Sequence, residues 1–507
     1  MKKAIIIISS LLLLSSCSKE ITSKEENRPV KEMEKVEEQS STPLYQEIVD
    51  EEVVFKTSTP VPMDPTLPLE SLNGFTPKPR ENENKASYHM KLTMDESKTF
   101  FVDANIVVEN LSKDSWKDLI FHFMPNAFTE KNNLKFMESF AYVKMGEVTV
   151  NKEKVEYKVQ QDNLQLLLNE PLENNQKVDV SIEYSFTLPK MGYRFSEVED
   201  HAFLAQWYPM LATYHSGWGK ADFSLGGESY HTDFSDFRVE YSLPNHYMIA
   251  SSSDNDPNEP SNKGVLDATN VKEMHMAILK DMPMTTKEIN GTEIRIFSNV
   301  EDKDYQQEYL DVAVNTLQFY NDYFGPYPHK QLDIIMDESG MEYPGIVTVA
   351  RGNRNKHTLV HEIAHQWFYG MVSNHPYHTP WIDEGLTNFA TYLYFVEGEN
   401  LYPNVVFEKA QKDLERSLEH GPIKPINLPI NGYFDQSMSY HGSVYQYSSL
   451  KLWELSEKNA ERGLEYLSTY FNLYKYKEVD ANEWLRYTRA FFQIEDVNEL
   501  SDWISFE

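Results

Sequence analysis

The chain has 507 residues and a formal net charge of −32 at pH 7. This length suits two or three domains better than one. The strong negative charge argues against nucleic-acid binding, because contact with phosphate backbones requires basic surface patches.

The first 17 residues predict an export signal that ends in a lipid attachment site. Two lysines precede an apolar run from Ala4 to Leu14, which is too short to span a bilayer. The sequence Leu14-Ser15-Ser16-Cys17 then resembles the lipobox of bacterial lipoproteins. The resemblance implies that residues 1–17 are a lipoprotein signal peptide and that Cys17 carries the lipid. The mature chain would be anchored to the extracytoplasmic face of a bacterial membrane. The alternative is an ordinary secretory signal with an incidental cysteine.

Cys17 is the only cysteine in the sequence. If it carries a lipid, no thiol remains for a disulfide, a zinc ligand or a nucleophile. Any metal site or catalytic group must therefore be built from other residue types.

Residues 18–84 have the composition of a tether. Lysine and glutamate dominate from Lys24 to Glu38, and prolines cluster between Pro60 and Pro79. Such segments are charged, extended and poor in core-forming residues. A short ordered piece is possible between Tyr45 and Phe55.

Residues 85–285 are predicted to form a β domain. Short runs of β-branched and aromatic residues alternate with turns rich in Asn, Lys and Gly, a pattern typical of antiparallel sheets. The clearest strands are Phe100–Val108, Leu119–Phe123 and Lys177–Tyr184.

Residues 286–507 are predicted to form a second, mainly helical domain. It begins with a strand, Thr292–Phe297, followed by a helix over Tyr305–Tyr323 that ends before Gly325-Pro326. Gln331–Met336 is predicted to be another strand, and most of the chain after His357 follows helical periodicity. The fold class is therefore multidomain, with a β domain followed by an α/β domain.

The central motif of the second domain is His361-Glu362-Ile363-Ala364-His365. Residues four apart lie on one face of a helix, so both imidazoles can bind one metal ion. Glu362 is placed to act as general base on a water molecule at that metal.

Glu384 is the candidate third ligand. Catalytic zinc usually takes three protein ligands and keeps one position for water. Glu384 lies within Trp381-Ile382-Asp383-Glu384-Gly385. Pro380 and the apolar residues after Gly385 predict that Glu384 lies near the start of a second helix, antiparallel to the first.

These two motifs resemble those of the M1 family of gluzincin aminopeptidases. Three further segments are similar to family segments: Phe324–Pro328, Ala205–Pro209 and Gly227–Tyr230. The resemblance implies a saddle-like N-terminal β domain and a thermolysin-like catalytic domain. It also implies one zinc ion bound by His361, His365 and Glu384, with Glu362 activating water.

The family also has a Gly-x-Met-Glu-Asn strand whose glutamate binds the free α-amine of the substrate. The corresponding sequence here is Ser339-Gly340-Met341-Glu342-Tyr343, in which both flanks differ. The resemblance implies that Glu342 anchors the amine and that Met341 contacts the substrate. Gln206 of the N-terminal domain is a further candidate for the ammonium group. A solvated loop carboxylate is the alternative for Glu342.

The family uses a tyrosine to hydrogen-bond the oxyanion that forms during peptide hydrolysis. Tyr445 is the best match, although the Lys-Gly pair that accompanies this tyrosine in the family is absent. Tyr440 is a rival for the same role.

The activity expected from these residues is removal of N-terminal residues from peptides with a free amine. Many family members continue into a β-sandwich and a helical domain, for which this chain has no room after Tyr445, so a more open cleft is expected. A zinc endopeptidase and a catalytically retired surface binding protein are the alternatives. Side-chain preference and oligomeric state are not predicted.

Overall fold

A computed structural model of the protein describes residues 46–47 and 52–506, except 133, 135–136, 193, 222, 225, 337–338, 352–355, 420 and 434–438. The predicted signal peptide, Cys17 and the charged first half of the tether lie outside the described residues.

Alternation of apolar and polar residues builds the first domain. In Phe100–Asn110 every second side chain is buried, beginning with Phe100 and Val102, as the two-residue period of a strand requires. The strands of this part are, in chain order, β1 (Gln46–Glu47), β2 (Asn84–Met94), β3 (Phe100–Asn110), β4 (Trp116–His122), β5 (Val143–Val150), β6 (Glu153–Lys154), β7 (Tyr157–Gln160), β8 (Asn163–Leu172), β9 (Lys177–Phe186), β10 (Phe195–Val198), β11 (His201–Leu204), β12 (Met210–Leu211), β13 (Ser235–Ser251), β14 (Ser261–Val271) and β15 (Met276–Leu279).

Two sheets share the apolar core of this β domain. In the described part of the chain, the large sheet has the order β1-β5-β9-β3-β2-β13-β15-β11-β10, with β6 and β14 added at β5 and β13. The small sheet has the order β12-β4-β8-β7. The predicted antiparallel β domain is confirmed, with the qualification that β2 and β13 pair in parallel.

The second part of the chain begins with a mixed sheet of β16 (Met284–Ile289), β17 (Thr292–Phe297), β18 (Gln331–Ile335) and β19 (Ile346–Thr348). The predicted domain boundary at residue 285 falls inside β16, and the exact domain limits stay a prediction.

Helices cover the mixed sheet and form most of the remaining chain. The α-helices are α1 (Met124–Ala127), which lies in the β domain, α2 (Lys303–Phe324), α3 (Lys356–Ala364), α4 (Pro380–Leu393), α5 (Pro403–Leu418), α6 (Ser448–Lys458), α7 (Gly463–Tyr474) and α8 (Ala481–Phe492). Shorter elements are 3₁₀ turns at Glu130–Asn132, Ile430–Gly432 and Val497–Leu500, and π-helical turns at Tyr394–Gly398 and His441–Tyr447.

The sequence signals at the ends of α2 act as predicted. The Asp302 side chain caps the helix by accepting a hydrogen bond from the Tyr305 backbone N–H at 3.1 Å. Gly325 ends the helix with a φ of +120°, a conformation that glycine adopts without a steric penalty. Among the helices of the described residues, none combines the length and apolarity needed to cross a membrane.

Residues 52–83, here called the strap, lie along the molecule instead of extending away from it. At one end the Ser58 N–H donates to the Trp218 carbonyl of the β domain at 2.9 Å. Further along, Glu70 pairs with Arg486 of α8 at 2.6 Å, and Met63 is buried in the core of the helical region. The described second half of the predicted tether therefore packs on both parts of the molecule, because its few apolar side chains find a core to enter.

Buried charges join the β domain to the catalytic part. Arg295 of β17 contacts Asp256 of the β domain at 2.9 Å and Asp333 of β18 at 2.5 Å, and all three side chains are fully buried. A charge taken out of water is tolerated only when it is paired, so these contacts fix how the two parts meet.

A second polar contact between the two parts centres on Glu478. Its carboxylate lies 3.0 Å from His231 Nε2 and 3.2 Å from His215 Nε2, both in the β domain. Arg80 of the strap approaches the other carboxylate oxygen at 3.4 Å. Burial lowers the pKa of His231 to about 4, so this imidazole is neutral in the folded protein near pH 7.

We expect the contribution of the buried histidines to the free energy of unfolding to fall as the pH is lowered from about 6.5 towards 4. Buried histidines with a lowered pKa bind protons in the unfolded chain before they do so in the folded one. His275 is the clearest case: it stacks on Tyr343 at 4.0 Å, and burial lowers its pKa to about 3. Neither ring nitrogen has a hydrogen-bond partner among the described residues.

The His275→Phe variant removes one of these proton-binding groups and is expected to make the slope of unfolding free energy against pH shallower by up to one proton. Urea unfolding at several pH values measures this slope. Val107→Ala, which changes an exposed site and removes no ionisable group, is the control and is expected to leave the slope unchanged. An identical slope for His275→Phe and wild type would contradict the assignment.

Candidate metal centre

Helix α3 carries the two histidines of the central motif. Its apolar side chains Leu359, Val360 and Ile363 are fully buried and hold the helix on the core. The His365 N–H donates to the His361 carbonyl at 3.2 Å, so the helical geometry continues to His365. Both imidazoles therefore leave the same face of the helix.

The three predicted ligands meet at one point. His361 Nε2 and His365 Nε2 lie 3.1 Å apart, and each lies 3.2 Å from Glu384 Oε2. Three corners of a tetrahedron with bonds of about 2.0–2.1 Å are separated by about 3.3–3.4 Å. The triangle of two nitrogens and one carboxylate oxygen thus fits a zinc ion, with a fourth corner left for another ligand.

Groups outside the triangle orient His365. Its Nδ1 lies 3.0 Å from the Phe368 carbonyl and 2.9 Å from Asp383 Oδ1. The Phe368 carbonyl accepts a hydrogen bond from Nδ1–H, and the charge of Asp383 favours the proton at this nitrogen, which leaves the Nε2 lone pair free for a metal. Asp383 directly precedes Glu384 in the sequence, but no sequence motif predicted this role for it.

Glu384 is held in place by a close approach between helices. It lies in the second turn of α4, and a Cβ on the next residue, Gly385, would lie 2.5 Å from Ser448 Oγ of α6. Only glycine allows the two helices to approach this closely. Tyr445, in the π-helical turn His441–Tyr447, donates its hydroxyl to Glu384 Oε1.

Tyr445 and Tyr440 both lie near the metal centre, with their rings 5.9 Å apart. The Tyr445 ring is 5.8 Å from that of His361, whereas the Tyr440 hydroxyl is directed at Gly227. Burial, together with the charge of Glu384, raises the pKa of Tyr445 well above its usual value. The hydroxyl therefore stays protonated and can donate a hydrogen bond.

Carboxylates surround the metal centre. One carboxylate oxygen each of Glu228, Glu342 and Glu384 lie within 4.8 Å of one another, and all three residues are buried. Glu362 lies equally close to Glu342 and His365. A Cβ on Gly340 would collide with Glu362 Oε1, so the glycine before Met341 lets this backbone pass beside the predicted base.

The crowding of negative charge changes the acidity of these groups. Burial raises the pKa of Glu362 to about 8, and the charges of Glu384 and Glu228 act in the same direction. Burial and the neighbouring Glu228 and Glu362 also raise the pKa of Glu342 well above its usual value.

The β domain contributes residues that the sequence analysis did not identify. Glu228 lies in a segment noted for its family resemblance but given no role, and Arg194, which pairs with it at 2.6 Å, has no local signal in the sequence. Gln206 lines the same cavity as Met341, but its amide nitrogen donates to Glu273 at 2.7 Å. Its predicted contact with an ammonium group stays a prediction.

The geometry of the site is that of a zinc-binding centre, and comparison with known sequences indicates which family it is similar to. The profile described as the Peptidase family M1 domain matches residues 308–503. This segment, which carries all three predicted ligands, is therefore similar to the domain of peptidase family M1.

Similar curated proteins are aminopeptidases of this family. Aminopeptidase M1-B of Oryza sativa subsp. japonica is 28% identical over 221 residues, which are 38% of this chain and 25% of that protein. Alanine/arginine aminopeptidase of Saccharomyces cerevisiae is 26% identical over 208 residues, 36% of this chain and 24% of that protein. The chain thus spans about a quarter of the length of these relatives.

Solved structures share the fold over most of the chain. The M1 zinc metallopeptidase of Deinococcus radiodurans superposes with a TM-score of 0.61 at 15% identity. The superposition covers 84% of this chain and 95% of that one. The predicted fold, a β domain followed by a mainly helical catalytic domain, is confirmed.

We expect the wild-type protein to bind one equivalent of zinc and the Glu384→Ala variant to bind none, because two imidazoles alone leave the triangle incomplete. Asp383→Asn keeps the three ligands and is expected to weaken zinc binding about 10–100-fold by loosening the hold on His365. Competition with a chromophoric chelator measures the number of zinc ions bound and the zinc affinity of each variant. Glu397→Ala, an exposed carboxylate near the end of α4, is the control. Zinc retention by Glu384→Ala would refute the assigned ligand set.

Proposed function

We propose that this protein is a zinc-dependent aminopeptidase that removes N-terminal residues from peptides. The observation that carries the proposal is the cluster of buried carboxylates Glu228, Glu342, Glu362 and Glu384. A buried carboxyl group either takes up a proton or is compensated by a cation. A metal ion compensates part of this charge, and the ammonium group of a peptide N-terminus supplies the right charge beside Glu228 and Glu342.

The zinc ligands and Glu362 have separate roles in the proposed reaction. Zinc bound to His361, His365 and Glu384 would act as a Lewis acid that lowers the pKa of water and polarises a carbonyl. Glu362 accepts a proton from the attacking water and later delivers it to the leaving nitrogen. Its raised pKa suits a group that must hold the proton between these two steps.

The other residues bind and orient the substrate. Glu342 and Glu228 hold the free α-amine, which limits cleavage to the first peptide bond. Tyr445, kept protonated by its surroundings, donates a hydrogen bond to the oxyanion as negative charge develops. Met341 contacts the first side chain. The positions of these groups around one metal centre, and the aminopeptidases among the relatives, support the proposal.

The test is hydrolysis of aminoacyl fluorogenic substrates beside their N-acetylated counterparts. We expect release from the free-amine set only, and loss of release with a chelator. Glu362→Gln is expected to lower kcat by about 10²–10⁴-fold, since the general base is lost while the site keeps its shape.

Two further variants separate the roles of the site. Glu342→Gln is expected to act mainly on binding of the free amine, and Tyr445→Phe mainly on kcat, with Tyr440→Phe as the comparison. Cleavage of acetylated substrates would favour the endopeptidase alternative. Absence of turnover of either set by zinc-loaded protein would favour the retired binding protein.

We further propose that the enzyme is held at the outer face of a bacterial membrane by a lipid on Cys17. The support is the sequence of residues 1–17 alone, which lie outside the described part of the chain. In bacterial cells, Cys17→Ser is expected to move the protein from the membrane fraction to the soluble fraction. A wild-type protein that is already soluble would contradict the anchor.

A further inference from the structure

A cavity of about 180 Å³ opens beside the carboxylate cluster, between the β domain and the strand-like segment that carries Glu342. Gly340 and Met341, which directly precede Glu342, form one wall. Gly227 and Ser229, which flank Glu228, form another. A side chain attached to a residue whose amine lies between Glu228 and Glu342 therefore enters this cavity. That step rests on the aminopeptidase function proposed above.

Aromatic rings and methionines form much of the cavity lining. The Phe128 ring contacts two other rings of this lining, at 5.7 Å from Phe195 and 5.9 Å from Phe223. Met124 and Met341 complete the apolar lining. Rings at these separations offer edges and faces to another ring, and methionine sulfur makes favourable contacts with aromatic groups.

The charged residue in the wall does not favour a charged ligand. Arg194 pairs with Glu228 at 2.6 Å, and only 24% of its side chain is exposed. A cationic side chain would meet this guanidinium, and an anionic one would have to compete with Glu228 for it. Behind Gln206, the buried Glu273 already accepts hydrogen bonds from Gln206 and Tyr230.

The size of the cavity fits a ring. A protein cavity of about 150 Å³ lined by Leu, Ile and Phe binds benzene, and this cavity measures about 180 Å³. An alanine side chain is too small to contact most of the apolar wall. An alanine substrate therefore gains little of the binding free energy that comes from burying apolar surface.

We propose that this cavity selects peptides whose first residue has an aromatic side chain, with Phe128 and Phe223 as the specificity-determining residues. The test uses a panel of free-amine substrates with Phe, Tyr, Ala, Glu or Arg as the first residue. We expect kcat/KM for Phe and Tyr to exceed that for Ala by at least about tenfold, with Glu and Arg below Phe.

The variant Phe223→Ala removes a half-buried ring from the wall, and the ratio of kcat/KM for Phe to that for Ala is expected to fall about tenfold. The ratio cancels any loss of folded enzyme. Phe128→Leu supplies a second change in the same wall and is expected to lower the ratio as well. Tyr142→Ala, which removes an exposed aromatic of the same domain, is the control and should keep the wild-type ratio.

The outcomes separate this inference from the function on which it rests. A preference for Arg, Glu or Ala, or a ratio that neither cavity variant changes, would overturn the aromatic specificity while the aminopeptidase function stands. If no free-amine substrate is hydrolysed by zinc-loaded wild type, the proposed function fails and the specificity fails with it.

Discussion

Repulsion among buried carboxylates is the constraint on which the rest of this structure depends. Glu228, Glu342 and Glu384 each have an oxygen within 4.8 Å of the others, and Glu362 lies equally close to Glu342. Water screens charges poorly at such buried positions. Such a cluster is stable only if some of its carboxyls hold protons or cations lie among its partners. Arg194 supplies part of the positive charge from the protein itself. A metal ion and a cationic ligand can supply the rest of the positive charge. The excess of negative charge that destabilises the protein therefore also creates the binding site.

The site needs both parts of the molecule. Helices α3 and α4 bring the metal ligands, whereas the β domain brings Glu228, Arg194 and the aromatic cavity wall. The charges of the site and the lining of the cavity come from both parts. The buried contacts of Arg295 and of Glu478 with the β domain, together with the strap, therefore position the substrate site as much as the ligands do.

Local patterns predicted most of the secondary structure around the site. The helix over Tyr305–Tyr323, the strand Thr292–Phe297 and the helical start before Glu384 are all found, because caps, prolines and apolar spacing act within a few residues. The strap shows the limit of such reasoning. Its proline-rich composition is that of a tether, but composition does not reveal that Met63 and Glu70 find partners on α8 and the helical core.

The sequence by itself determined the metal ligands and the base. Two histidines four apart on a helix and a glutamate on the following helix can converge with little help from the rest of the chain. Only the tertiary structure decided what surrounds them. Asp383, Glu228 and Arg194 gain their roles from contacts across 18 to 156 residues, and the cavity wall joins Phe128 and Phe223 to Met341. Contacts of this kind depend on how sheets and helices pack against one another, so local sequence patterns do not predict them.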